Sequence, residues 1–122
     1  MPLKFTIDLY PMNNELLLTI DRHLTIKYSE ILMLKACINY TNILMEDGRS
    51  VLSSRTLRTF EQRLFNQSFF RPNRSVIINL NYMVSYQKEV ATIRMGNNES
   101  IIISRRRIKG FLKKSRTIND EH

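Results

Sequence analysis

ILMLKACINYTNILMEDGRSV, residues 31–51, decides the fold class. Two apolar runs, residues 31–38 and 43–45, flank a polar interruption at Asn39, Tyr40 and Thr41, and the sequence EDGR at 46–49 is a strong turn signal before Val51. Runs this short, interrupted this often, read as strands rather than helices. Upstream, residues 16–20 and 24–28 are separated by Asp21, Arg22 and His23, and Leu24, Ile26 and Tyr28 alternate with Thr25 and Lys27, the period of a half-buried strand. These two runs predict a hairpin. Residues 1–14, with Pro2 and Pro11 bracketing LKFTIDLY, read as an extended arm ahead of a domain at 15–116, because each proline disfavours a continuing helix.

Downstream the period changes. Leu57, Phe60 and Leu64 fall at i, i+3 and i+7 while Arg58, Glu61 and Gln62 face away, which predicts a short helix over 55–65 with Ser54 as its N-cap. The block FFRPNRSVIINL at 69–80, residues 82–87, 90–95 and 100–103 all have strand composition, and Gly96, Asn97 and Asn98 supply a second hairpin turn. Ser104 is the expected cap of a final helix with Ile108, Phe111 and Leu112 on one face, ending at Lys113 and Lys114 before a polar tail at 117–122. The methionines and the tyrosines Tyr10, Tyr28, Tyr82 and Tyr86 are expected to fill and support the core.

A chain of 122 residues, 43% apolar and 25% charged, makes one globular domain rather than two cores or a disordered coil. Its distinctive quantity is charge: 19 Lys and Arg against 11 Asp and Glu leave a net +8. Residues 1–61 carry seven basic and seven acidic side chains, residues 62–122 twelve and four, so the whole excess lies in the second half. That asymmetry favours a polyanionic partner, nucleic acid first. Gly48, Gly96 and Gly110 stand too far apart for a phosphate-cradling loop, which excludes the common nucleotide cofactor motifs. His23, His122 and Cys37 cannot supply a tetrahedral zinc set, so no metal and no cofactor is expected. Cys37 sits in the apolar run 31–38, where a buried, inert thiol is the ordinary outcome, and no catalytic residue is assigned. A single cysteine and the absence of a membrane-length apolar run or a cleavable leader point to the cytoplasm, with no membrane insertion and no small-molecule substrate.

Three basic or polar clusters carry candidate contacts. Arg105, Arg106 and Arg107 lie where a first helical turn is expected; the helix dipole disfavours cations there, unless a phosphate docks on the free N–H groups and the guanidinium groups together. Lys109 adds a further cation. In FFRPNRS, Arg71 and Arg74 flank Pro72 and Asn73 in a turn-forming stretch; arginine matches guanine O6 and N7, and the Asn73 amide matches adenine. One of the two arginines is expected to be structural, with Arg74, followed by Ser75, the DNA contact. Asn39, Tyr40, Thr41 and Asn42 form the third cluster, suited to a phosphate or base contact, although by itself the pattern reads first as a plain hairpin turn because asparagine is common in turns for backbone reasons alone.

In order, these signals resemble the LytTR-type DNA-binding domain of bacterial transcription regulators: NYTNI, the EDGR turn, SRTLRTFEQRL, FFRPNRSVIINL and ISRRR. The resemblance spans roughly residues 15–114. Its most specific element is carried by Phe70, Arg71, Arg74, Ser75, Ile78, Asn79 and Leu80, and the next by Ser104, Arg105 and Arg106. It implies a mainly β, β-rich α+β fold of about ten strands in small antiparallel sheets with one short mid-chain helix and a C-terminal helix. It also implies that loops, rather than a recognition helix, enter successive grooves of the duplex. Contacts would come from Tyr40, Thr41 and Asn42, from Asn73 and Arg74, and from Arg105, with Arg106 and Arg107 on phosphates.

The chain departs from the family pattern at Pro72 and Asn73, where a small residue and a histidine are common, and at Lys35, where an acidic residue is usual. Fourteen residues before Glu15 cannot hold a phosphoacceptor domain, so regulation is expected from outside this chain, through a regulatory protein partner. The resemblance further implies two copies on direct repeats, a homodimer on DNA. The leading expectation is therefore a sequence-specific double-stranded DNA-binding transcription regulator, the output domain of a response regulator. The competing reading is a basic protein-interaction module docking an acidic or membrane-bound partner. RNA binding ranks below both because the glycine and aromatic pattern of RNA-recognition motifs is missing.

Overall fold

In a computed structural model the described residues are 7–9 and 16–120, with side chains described at 17–20 and 22–116. Eleven strands and two helices follow in the order β1 (Ile7–Leu9), β2 (Leu16–Asp21), β3 (Leu24–Lys27), β4 (Ile31–Cys37), β5 (Tyr40–Met45), β6 (Ser50–Ser53), α1 (Leu57–Leu64), β7 (Phe69–Asn73), β8 (Val76–Asn79), β9 (Met83–Gln87), β10 (Thr92–Met95), β11 (Ser100–Ile102) and α2 (Ile108–Asp120). Every pairing is antiparallel. A five-stranded sheet in the order β6-β5-β4-β8-β7 lies between two three-stranded sheets, β1-β2-β3 and β11-β10-β9. This is the mainly β architecture expected.

The central sheet is buried on both faces. Ile31, Leu34, Ile43 and Ile77 pack with Leu18, Ile20 and Ile26 of the first sheet and with Leu57, Phe60 and Leu64 of α1. Leu32, Met33, Val76 and Ile78 pack on the other side with Ile93, Met95 and Ile101 of the third sheet and Phe111 of α2. A strand covered on both sides has no polar face to alternate, which explains why β4 begins ILML and why all of β8, VIIN, is buried. Asn79 is the one polar group inside β8. Its Nδ2 donates to Ile31 O at 2.8 Å, and its Oδ1 accepts from Ser68 Oγ at 2.8 Å and Asn81 N at 3.0 Å. Burial without those partners would cost about 1–3 kcal/mol.

Met33, Met45 and Met95 are buried, Tyr28 meets Phe69 edge-on at 6.2 Å, and Tyr86 lies 4.9 Å from Phe111, all in supporting roles; Tyr10 lies outside the described residues. Lys35, at the position where the family pattern has an acid, reaches Glu99 Oε2 at 2.6 Å and so ties β4 to the turn between β10 and β11.

Four local expectations are corrected. The mid-chain helix begins at Leu57 rather than 55, capped by the Thr56 hydroxyl accepting from Thr59 N at 3.3 Å; Arg55 lies in a bend before it, where its carbonyl accepts from the buried Thr41 hydroxyl at 2.6 Å. The arginine triplet forms its own 3-10 turn, Arg105–Arg107, and Ser104 makes no side-chain cap. α2 then continues to Asp120 through most of the expected polar tail, since SRTIND at 115–120 contains no glycine or proline to stop it. Lastly, the expected arm contributes β1, which pairs with β2; residues 1–6 and 10–14 of that arm, with residue 15 and tail residues 121–122, lie outside the described residues.

Candidate nucleic-acid interface

Two turns meet at one end of the central sheet. Lys35 pairs with Val76 and Ala36 N donates to Ser75 O at 2.8 Å, so the β4–β5 turn and the β7–β8 turn project side by side. The segment after β11 joins them: Ser104 N donates to Pro72 O at 2.9 Å, and Asn73 Nδ2 donates to Ile102 O at 2.8 Å. Three stretches that are remote in sequence thereby form one basic edge, and all three are those singled out from the sequence.

Their side chains divide into presented and engaged groups. Arg74, Ser75, Arg105, Arg106 and Lys109 are exposed, and the side chains of Arg74, Arg105 and Arg106 meet no ionic or hydrogen-bonding partner among the described residues. Asn39 occupies the apex of the β4–β5 turn with φ 66°, a left-handed conformation that asparagine tolerates better than most residues, and Tyr40 beside it is 52% exposed. Asn42 is half-buried, its Oδ1 unbonded among the described residues.

Four expected contacts turn out to be engaged inside the fold. Arg71 belongs to β7 rather than to a free loop, and only 16% of its side chain is exposed. Its Nη1 donates to Glu61 Oε1 at 3.0 Å, its Nη2 to Arg74 O at 2.8 Å and its Nε to Asn73 O at 3.3 Å. It is the structural one of the pair. Asn73 donates from its amide to Ile102 O at 2.8 Å and, through Oδ1, accepts from Ser75 N at 2.8 Å, so both amide atoms are engaged in holding the turn. Thr41 is fully buried in β5 and bonded to Arg55 O; the turn is Ile38–Asn39, not 39–41. Arg107 is half-buried, with Nη1 3.0 Å from Arg71 O and 3.6 Å from Glu61 Oε2.

Cys37 is corrected as well: it is exposed, because β4 runs two residues beyond the last pairing of β8, at Lys35 with Val76. Residues that the sequence reading passed over also sit here. Ile38 stands 89% exposed at the apex, where its apolar type suggested a strand interior. Glu61 on α1 holds both clamped arginines; the only signal for it was a lone acidic residue on the polar face of a helix. Lys114 of α2 anchors that helix near the same cluster, donating to Phe65 O at 2.9 Å and also to Phe69 O, and burial lowers its pKa. Among the described residues no three His, Cys, Asp or Glu side chains gather as a metal set, and no helix is long and apolar enough to cross a membrane.

The family model of the LytTr DNA-binding domain matches residues 21–116, a span that contains every one of these side chains. The chain belongs to the LytTr DNA-binding domain family. A solved structure, the LytTr DNA-binding domain of a protein described as a methyl-accepting/DNA response regulator from Bacillus cereus, superposes with a TM-score of 0.65 at 22% identity, covering 93% of this chain and 97% of that one. At that identity the likeness speaks for the fold, and it agrees with the small antiparallel sheets and two helices described above. None of the curated proteins compared with the chain matches it. The LytTr assignment gives the chain a chemical partner, DNA.

Proposed function

We propose that this chain is a sequence-specific double-stranded DNA-binding transcription regulator that reads base edges and phosphates through loops. The carrying observation is the division within the basic edge: Arg74 and Arg105 are presented while the polar groups around them, Arg71, Asn73 and Arg107, are engaged in holding the loops. Arg74 and Arg105 read bases, since each offers a forked donor pair free of internal partners among the described residues. Arg106 and Lys109, exposed beside them, neutralise phosphates. The β4–β5 tip, with Asn39 and Tyr40, enters a neighbouring groove. Two copies bind direct repeats on one duplex. By analogy with the response regulator in the similar structure, the domain acts in the bacterial cytoplasm as an output module controlled by a protein partner.

The test is selection of binding sites from a random duplex pool, followed by affinity measurements with Arg74→Ala and Arg105→Ala. An enriched motif is expected, degraded at different positions by the two changes, each costing about 1–3 kcal/mol on the operator. Arg106→Ala and Lys109→Ala are expected to weaken operator and random DNA alike and to reduce the salt slope, which changes by about 0.9 per phosphate contact. Absence of enrichment, with binding that heparin competes as well as DNA does, would overturn the reading.

A further inference from the structure

Glu61 stands at a junction that neither charge nor fold requires. From α1 it accepts Arg71 Nη1 at 3.0 Å on one oxygen and lies 3.6 Å from Arg107 Nη1 with the other. Arg71 in turn holds the carbonyls of Asn73 and Arg74, and Arg107 holds the Arg71 carbonyl from the turn that carries Arg105 and Arg106. One carboxylate thus sits behind both arginine-bearing loops, in a pocket of about 120 Å³ lined by Leu64, Phe65, Phe69, Phe70 and Lys114. Without it, the Arg71 and Arg107 guanidinium groups, which share this one carboxylate, would repel each other across a partly apolar pocket where charge is poorly screened.

We infer that Glu61 is a positioning residue for DNA recognition, setting the spacing between the Arg74 loop and the Arg105 turn through Arg71 and Arg107. The inference rests on the reading that those loops bind DNA. Its signature is a reversal of sign. Simple electrostatics says that deleting an acid close to a DNA-binding face strengthens binding, because the net charge becomes more positive. Positioning says that operator binding weakens, since base edges demand bidentate geometry that a displaced arginine misses, while random DNA, which accepts any phosphate contact, is held as well or better.

The experiment compares the full chain with Glu61→Gln on the selected operator and on a random duplex of equal length, with folding followed by circular dichroism. The expected result is an operator affinity about tenfold lower with random-DNA affinity unchanged or higher. In an Arg74→Ala background the same substitution is expected to lose most of its effect, because the group it positions is gone. Equal changes on both duplexes, or tighter binding to both, would overturn the inference. Should Glu61→Gln fail to fold, Arg107→Leu carries the test. A falling ratio of operator to random affinity supports positioning, and an equal loss on both duplexes marks Arg107 as mere charge. A wild-type chain that shows no operator preference sinks the DNA-reading function itself, whereas wild-type preference retained in Glu61→Gln sinks only the role of Glu61.

Discussion

At the β7–β8 turn, Arg71 and the Asn73 amide fasten the backbone from several directions, and the side chain left over, Arg74, is a cation. At the β4–β5 turn, on the adjacent strand of the same sheet, the side-chain bond from Thr41 to Arg55 O holds only the base of the hairpin, and the exposed groups at the tip are Ile38, Asn39 and Tyr40. One loop is prepared rigidly and presents charge; the other is supported by its ladder and presents apolar surface. On the proposed reading the two loops have different tasks, base-edge hydrogen bonding for the first and shape or methyl contact for the second.

The comparison breaks most readily at Arg71. Arg71→Met keeps the length of the side chain but removes three donors, leaving Glu61 and two carbonyls without their cation. Removing one partner of a fully buried pair costs about 3–5 kcal/mol; with this site partly exposed, a loss of about 2–3 kcal/mol is expected in urea unfolding. Operator binding should fall in parallel. A change below about 0.5 kcal/mol, the size of an ordinary surface substitution, would mean that the turn holds itself and that the two loops are alike.

Thr41→Val probes the other loop at its base. Valine matches the shape of threonine but deletes the hydroxyl that satisfies Arg55 O, so stability should fall by about 1–2 kcal/mol. The fully folded fraction should bind operator as before, because Thr41 has no exposed surface through which to touch DNA. A selective loss of operator affinity at unchanged stability would restore the contact that the family resemblance implied for this residue.

Which parts were legible in the sequence follows from the range of the interactions. Strand and helix order depend on periods of 2 and 3.6 within about ten residues, and LLLTI, LTIKY and LRTFEQRL announce themselves. The motif FFRPNRSVIINL marked the turn in which Arg74 is exposed and Arg71 engaged. What it could not reveal is that Arg71 has a counter-ion on α1, because Glu61 meets it only once β7 packs along that helix. The same holds for Arg107, whose charge looked equivalent to that of Arg105 and Arg106 until the 3-10 turn placed it against β7. Cys37 looked buried because it ends an apolar run; its exposure depends on where β8 stops, a property of a strand forty residues away. Local pattern gave the elements, and the pairing of one arginine rather than its neighbour needed tertiary contact.

The smallest expected effect lies at Ile38. A β-branched apolar side chain at the apex of a two-residue turn, 89% exposed, gains nothing from the protein's own core, yet it stands at the edge that bears Arg74. In the major groove the group such a side chain can recognise is the C5-methyl of thymine. Burying one methyl group is worth about 0.8 kcal/mol, or roughly fourfold in affinity. Replacing each operator thymine in turn by uracil should therefore reveal one position at which the wild-type chain loses about fourfold, while Ile38→Ala binds both duplexes equally and already shows that loss. This pairing of a side-chain deletion with a methyl deletion isolates the contact, because neither change alters charge or hydrogen bonding. Uracil tolerated at every position by both proteins would show that the β4–β5 tip serves as a wedge or spacer, and that base reading is confined to the clamped loop.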